Sequence, residues 1–211
     1  MRPIVQTRQL AAAVANGVAQ DQQLGAAGNL ALDGSLVDAA GVAQLGGQRQ
    51  VTFESAGNIA TVVFTITGTD DSGAVISEDI TGINGSNVET LLNYATVTQI
   101  AADAAFASDV EVGTTGVGAS QTVPLDQYIS PFNVSLGVVI GAVAVDVTVE
   151  YTFDDVFGDA PGPFSWTDHP DLTNVAANAD GTFISPVSAC RLLTNSGVGT
   201  AVLRIQQAGL T

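Results

Sequence analysis

The chain contains no lysine. Its 5 basic residues are all arginine, set against 21 acidic ones, for a formal net charge of −16. The deficit is uneven. Residues 1–50 carry Arg2, Arg8 and Arg49 against Asp21, Asp33 and Asp38, so the whole imbalance falls in residues 51–211. A surface of that sign repels nucleic-acid phosphates and anionic membrane. Neither is expected as a partner. Such a surface suits solubility, or docking onto a basic protein.

Cysteine and histidine are almost absent. Cys190 stands alone, which excludes an intramolecular disulfide framework and a cysteine metal centre. It reads as a small buried hydrophobe. The single histidine, His169, lies in Thr167-Asp168-His169-Pro170 and reads as a structural turn residue. A serine or cysteine nucleophile would have no other histidine to draw on. No segment resembles a nucleophile elbow or a phosphate loop. The chain is therefore expected not to be an enzyme and to need no cofactor.

Long apolar runs are missing too. None reaches the roughly 18 residues of a membrane span. Arg8 to Asn16 imitates a secretory signal with an Ala-x-Ala site, but Gln9 and Asn16 interrupt it and its apolar core is only about six residues. Synthesis in the cytosol is the expectation.

What is present points to β-structure. Hydrophobic content is 46%, drawn largely from alanine and valine, with 6% aromatics and 23 glycines. That mixture suits short strands, tight turns and small-residue packing. The strongest signal is Val143 to Phe153, where every odd position is β-branched or aromatic and the even ones read Ala, Asp, Thr, Glu, Thr. A period of two predicts a strand with one buried and one wet face, about 35 Å long if fully extended. Asp146 and Glu150 are expected on the wet face.

Other strands are expected over Gln50–Glu54, Thr61–Thr67 (with Val62, Phe64 and Ile66 on one face), Ala74–Thr81, Tyr94–Ala101 and Asp109–Thr114. Asp33-Gly34 between apolar runs predicts a hairpin. Ile83–Asn87 reads as a loop and Gly113–Ser120 as a linker. A second set covers Gln121–Leu125, Phe132–Ile140, Gly181–Ile184, Ala189–Leu193 and Ala201–Gln206. The fold class is all-β: two small β-sandwich or jelly-roll-like modules in tandem, 25–115 and 116–211, behind an N-terminal arm, 1–24. The arm is expected to lie against a neighbour or its own domain, extended or with a short helix over Gln9–Val14. Val149–Asp155 aligns with Thr65–Asp71, the pattern that a duplication with an insertion around Phe157–Phe164 would leave.

Two acidic pairs, Asp70-Asp71 and Asp154-Asp155, fall at equivalent points of the two halves, each just after a strand. Adjacent carboxylates can help hold Ca²⁺ or serve as a glycosidase pair. The plainer reading is that each caps its own turn, and no metal site is assigned. Phe157, Phe164, Trp166 and His169 cluster in the Pro/Gly-rich insertion. There they can close the sheet edge, form a subunit contact or bind carbohydrate. Arg2 and Arg8 make the arm a candidate docking element, so the interface candidates are Arg2, Arg8, Phe157, Phe164 and Trp166.

Several stretches resemble a β module common among tailed-bacteriophage virion proteins: 28–34 (GNLALDG), 51–58 (VTFESAGN), 64–73 (FTITGTDDSG) and 94–103 (YATVTQIAAD). In the second half, 123–134 (VPLDQYISPFNV), 151–157 (YTFDDVF) and 177–183 (ANADGTF) are similar to a small phage structural protein. These are turn-and-strand patterns and carry no active site. The resemblance implies a non-enzymatic virion protein made in a bacterial cytoplasm, expected first as a capsid decoration or cement protein bridging capsomers. Its expected partners are the major capsid protein or other virion proteins, and it is expected to be a homo-oligomer, with a trimer favoured. A tail, neck or fibre-base component, or a secreted carbohydrate-binding adhesin, are the alternatives.

Overall fold

A computed structural model describes residues 4–8, 13–157, 164–197 and 199–208. The described regular structure is all-β and its strand pairings are antiparallel. The strands run β1 (Ile4–Arg8), β2 (Val14–Leu24), β3 (Gly28–Asn29), β4 (Ala43–Asn58), β5 (Val63–Thr69), β6 (Val75–Thr81), β7 (Asn84–Glu89) and β8 (Tyr94–Ala102). They continue with β9 (Phe106–Ala119), β10 (Val123–Pro124), β11 (Asn133–Ile140), β12 (Val145–Thr152), β13 (Thr167–Asp168), β14 (Ala179–Phe183), β15 (Ala189–Gly197) and β16 (Ala201–Ala208). The chain divides into two compact units. One is Ala12–Thr115; the other is Gly116–Thr211 together with Met1–Ala11.

In Ala12–Thr115 the strand order is β9-β4-β8-β5-β6, with β2 on β9, β3 on β8 and β7 on β4. Strand β4 changes partner along its length. Ala43 and Gln44 face Val97 and Thr96 of β8, whereas Thr52 to Ser55 pair with Glu89 to Ser86 of β7. Between the two stretches lies Gly46 at φ 70°, inside a register shift. Glycine adopts that left-handed conformation without steric cost, so the strand can change direction there. The core gathers round Phe64, whose ring lies 5.1 Å from Phe53 and 5.6 Å from Phe106. Val62 and Ile66 are buried beside it, as their alternation predicts.

Several local expectations need correction. The stretch set apart as an arm lies extended against the protein's own sheets, as expected, but it does so as regular strands: β1 pairs with β16 and β2 with β9. The Asp33-Gly34 hairpin does not form. That loop lies along β2, with Gly34 N–H donating to Val18 and Leu36 N–H to Gly17. Side-chain amides complete the attachment. The Gln22 amide donates to the Ala31 carbonyl at 3.0 Å and accepts from its N–H at 2.7 Å, in place of a backbone partner. Here tertiary pairing overrides local turn chemistry. A Cβ on Gly34 would sit 2.3 Å from the Gly17 carbonyl carbon, so close approach explains this glycine. The expected linker 113–120 is strand as far as Ala119, and the expected loop 83–87 mostly belongs to β7.

In the second unit one sheet has the order β1-β16-β11-β14. The other runs β13-β12-β15, with β10 and the end of β9 (Gly118, Ala119) also on β15. One apolar cluster serves both sheets. Val134, Leu136, Leu203 and Ile205 come from the first; Val147, Val149 and Leu192 come from the second.

The leading strand of the sequence is shorter and drier than expected. β12 ends at Thr152; Val143 and Phe153 are exposed. Its even face is not wet: Thr148 is 2% exposed, Glu150 8% and Thr152 1%. Polarity survives there because each group is partnered. Arg191 Nε donates to Glu150 Oε2 at 2.6 Å, and the Arg191 guanidinium carbon lies 4.1 Å from the Trp166 ring centroid. The Asn195 amide donates to Asp146 Oδ1 at 2.6 Å and to Thr148 Oγ1 at 2.9 Å.

Candidate interaction site

The second unit carries a cleft of about 870 Å³. Two copies of one local device help build it. In Asp126-Gln127-Tyr128, Asp126 Oδ1 accepts from the N–H of Tyr128 at 2.9 Å. In Asp155-Val156-Phe157, Asp155 Oδ1 accepts from the N–H of Phe157 at 2.9 Å. An aspartate that caps the backbone two residues on makes a tight turn. The aromatic side chain is then carried on the turn rather than on a strand.

Both turns put their rings into solvent. Tyr128 is 96% exposed and Phe157 70%; Phe153, which also lines the cleft, is 66% exposed. Phe153 leaves the core because β12 has already ended, and its ring stands edge-on to Tyr151 at 5.5 Å. A smaller cleft of about 320 Å³ shares Phe153 and adds Ile184, itself 81% exposed.

Beneath the rings the lining is firmly held. Gln207 is nearly buried; its Oε1 accepts from Asp126 N–H at 3.0 Å and its Nε2 donates to the Asp126 carbonyl at 2.6 Å. Gln127 Nε2 donates to Ser188 Oγ at 2.7 Å, and Ser188 N–H donates to the end of β12 at Thr152. The Asp126 turn is thereby fixed to β16 and to the β14–β15 connection. Each carboxylate has a second oxygen, Oδ2 of Asp126 and of Asp155, that accepts no hydrogen bond among the described residues.

The remaining candidates are placed as follows. Asp70 is buried at its turn. Its Oδ1 accepts from Ser72 N–H, Ser72 Oγ and Ala74 N–H at 2.9, 2.6 and 3.0 Å. Asp71 accepts from the Gln48 amide. Asp154 Oδ2 accepts from Ser165 N–H at 2.5 Å, bridging the two sides of the insertion. Among the described residues no group of three or more His, Cys, Asp or Glu side chains could hold a metal ion. The insertion aromatics separate: Phe157 joins the cleft, while Trp166 stacks on Arg191 with Phe164 edge-on at 6.5 Å. Arg2, the side chain of Arg8 and part of the suggested helix Gln9–Val14 lie outside the described residues.

Neither Cys190 nor His169 is arranged for catalysis. Burial pushes the Cys190 thiol up to about 12, away from the reactive thiolate. His169 is 2% exposed and packs 5.0 Å from the Phe183 ring. Its Nδ1 accepts from Asp171 N–H at 3.2 Å, which leaves Nε2 to donate to the Thr182 carbonyl at 3.3 Å.

The sequence reading missed Tyr128, Phe153, Ile184 and Asp126. One signal for the first and last was available, the repeated spacing of aspartate two residues before an aromatic. Neither a protein-family model nor a curated protein matches the chain.

Proposed function

We propose that this chain is a non-enzymatic structural subunit of a tailed-phage particle, a decoration or cement protein that sits on the head and bridges capsomers. The observation that carries the reading is the clustering of exposed large apolar side chains round one cleft of the second unit: Tyr128, Phe153 and Phe157, with Ile184 beside them. Exposed rings gathered at one rigid site mark a surface that a partner covers. The polar lining side chains Gln207 and Ser188 are spent on holding the turns. This arrangement favours docking over turnover. The resemblance of 28–34, 51–58 and 64–73 to virion β modules supplies the setting, and the major capsid protein is the proposed partner. The subunit is proposed to act as a trimer, since repeated weak contacts round a symmetry axis sum to firm attachment.

Particles purified by density gradient and labelled with an antibody to this chain provide the test. Label repeated over the head is expected. Label on the tail or neck would move the protein to a different part of the particle, and absence from particles would overturn the reading. Sedimentation of the free protein tests the trimer.

A further inference from the structure

The aromatic cleft also specifies what kind of surface it accepts. We propose that it takes a cationic segment of a partner protein, one or more arginine or lysine side chains flanked by apolar ones. This rests on reading the chain as an assembly subunit and names the chemistry of its partner.

Charge complementarity carries the proposal. Asp126 and Asp155 both line the cleft, and each directs one oxygen to its own turn while the other accepts nothing among the described residues. Beside each stands an exposed ring two residues along the chain, Tyr128 or Phe157. A carboxylate oxygen next to an aromatic face suits a guanidinium or ammonium group. The ring quadrupole and the charge attract it together, and its aliphatic stem covers the ring. Phe153 offers apolar surface for neighbouring side chains. Among the described residues no arginine lines the cleft. An anionic partner segment would meet two carboxylates and a chain of net charge −16. The same ring-and-carboxylate pairing occurs internally, where Arg191 lies between Trp166 and Glu150.

The test uses the full chain and fluorescence anisotropy with fluorescein-labelled ten-residue peptides alternating glycine, leucine and a variable residue. Arginine and lysine peptides should bind, the glutamine peptide at least ~10-fold more weakly and the glutamate peptide not detectably. The double variant Asp126→Asn/Asp155→Asn should weaken arginine-peptide binding ~5-fold or more, and Tyr128→Ala/Phe157→Ala by ~10-fold. A charge-matched control at residues that do not line the cleft, Glu89→Gln/Asp180→Asn, should change it less than ~2-fold. Equal weakening by the control would mean general attraction to an acidic protein and would overturn the proposal. So would binding of the glutamine peptide as tight as arginine, absence of arginine-peptide binding, or self-association through the cleft that Phe157→Ala abolishes. Failure here with the chain still on heads removes only the cationic partner. Peptide binding by a chain absent from particles removes the phage role and leaves the cleft's chemistry standing.

Discussion

In Ala12–Thr115 the rings of Phe53, Phe64, Tyr94 and Phe106 are all buried, whereas in the second unit Tyr128, Phe153 and Phe157 stand in solvent. The first unit needs its rings inside, because Phe64 joins Phe53 and Phe106 across the middle of its core. The second fills its core largely with Val, Leu and Ile from both sheets. Its outward rings add nothing to that core. Aromatic side chains so placed are free to serve recognition, and this difference is the reason the proposed partner surface is assigned to the second unit.

The widest contrast comes from truncating one ring in each unit. Phe64→Ala should cost ~3–5 kcal/mol by urea unfolding, through lost burial and the cavity left behind. Phe157→Ala should stay within about 0.5 kcal/mol of the parent while losing attachment to the particle. Similar stability losses from both would remove the distinction between the units. Val147→Asp tests the second core directly. It places an unpaired carboxylate among Val149, Leu192 and Leu203 and should unfold that unit, read as loss of cooperative unfolding.

The second unit also buries an ion pair in its sheet. Glu150→Ala and Arg191→Ala should each cost ~3 kcal/mol or more, because the partner is left charged and buried. The double change Glu150→Ala/Arg191→Ala should cost clearly less than the sum of the two single losses in a double-mutant cycle. Additive losses would mean that the even face of β12 is wetter than its burial indicates.

These contrasts separate what was legible in the sequence from what was not. Alternation marked Val62, Phe64 and Ile66 as core because each strand step reverses the side chain. It could not show that Glu150 is buried, since its partner Arg191 is distant in sequence and joins it only through the β12–β15 register. Nor could alternation show where β12 stops, and Phe153 continued the pattern while leaving the core. The alignment of the two halves sets Ile66 against Glu150, one in the core and the other on the face away from Val147 and Val149, so the aligned faces do not correspond. Glycine-rich 113–120 read as a linker because glycine serves loops and crowded strands alike. The difference lies in a neighbour: a Cβ on Gly113 would come within 2.0 Å of the Ala15 carbonyl oxygen. Gly34→Ala probes the same kind of crowding, against Gly17, and should cost ~1–3 kcal/mol in thermal or urea unfolding. A neutral result would mean that the loop 30–36 is free to lift from β2.

The smallest expected effect concerns charge on the first unit. Burial holds the Glu111 carboxyl above its ordinary value of 4.5, and the neighbouring charges of Asp21 and Glu54 push the same way. A carboxyl raised on folding favours the folded state while protonated. That contribution is present below the ordinary value and is lost as pH rises through the folded one. At neutral pH the ionised group therefore works against the fold. Glu111→Gln should raise the unfolding midpoint by ~1–2 °C at about pH 7, a gain limited by solvent screening. The gain should shrink as pH falls below the ordinary carboxyl value, where the parent group becomes protonated in both states, and should weaken in high salt because part of it is repulsion. A gain that persisted unchanged at low pH would come from packing of the amide. Crowding of Glu111 with Asp21 and Glu54 would then no longer count as a weakness peculiar to the first unit, whose core rings would be left as its main distinction from the second.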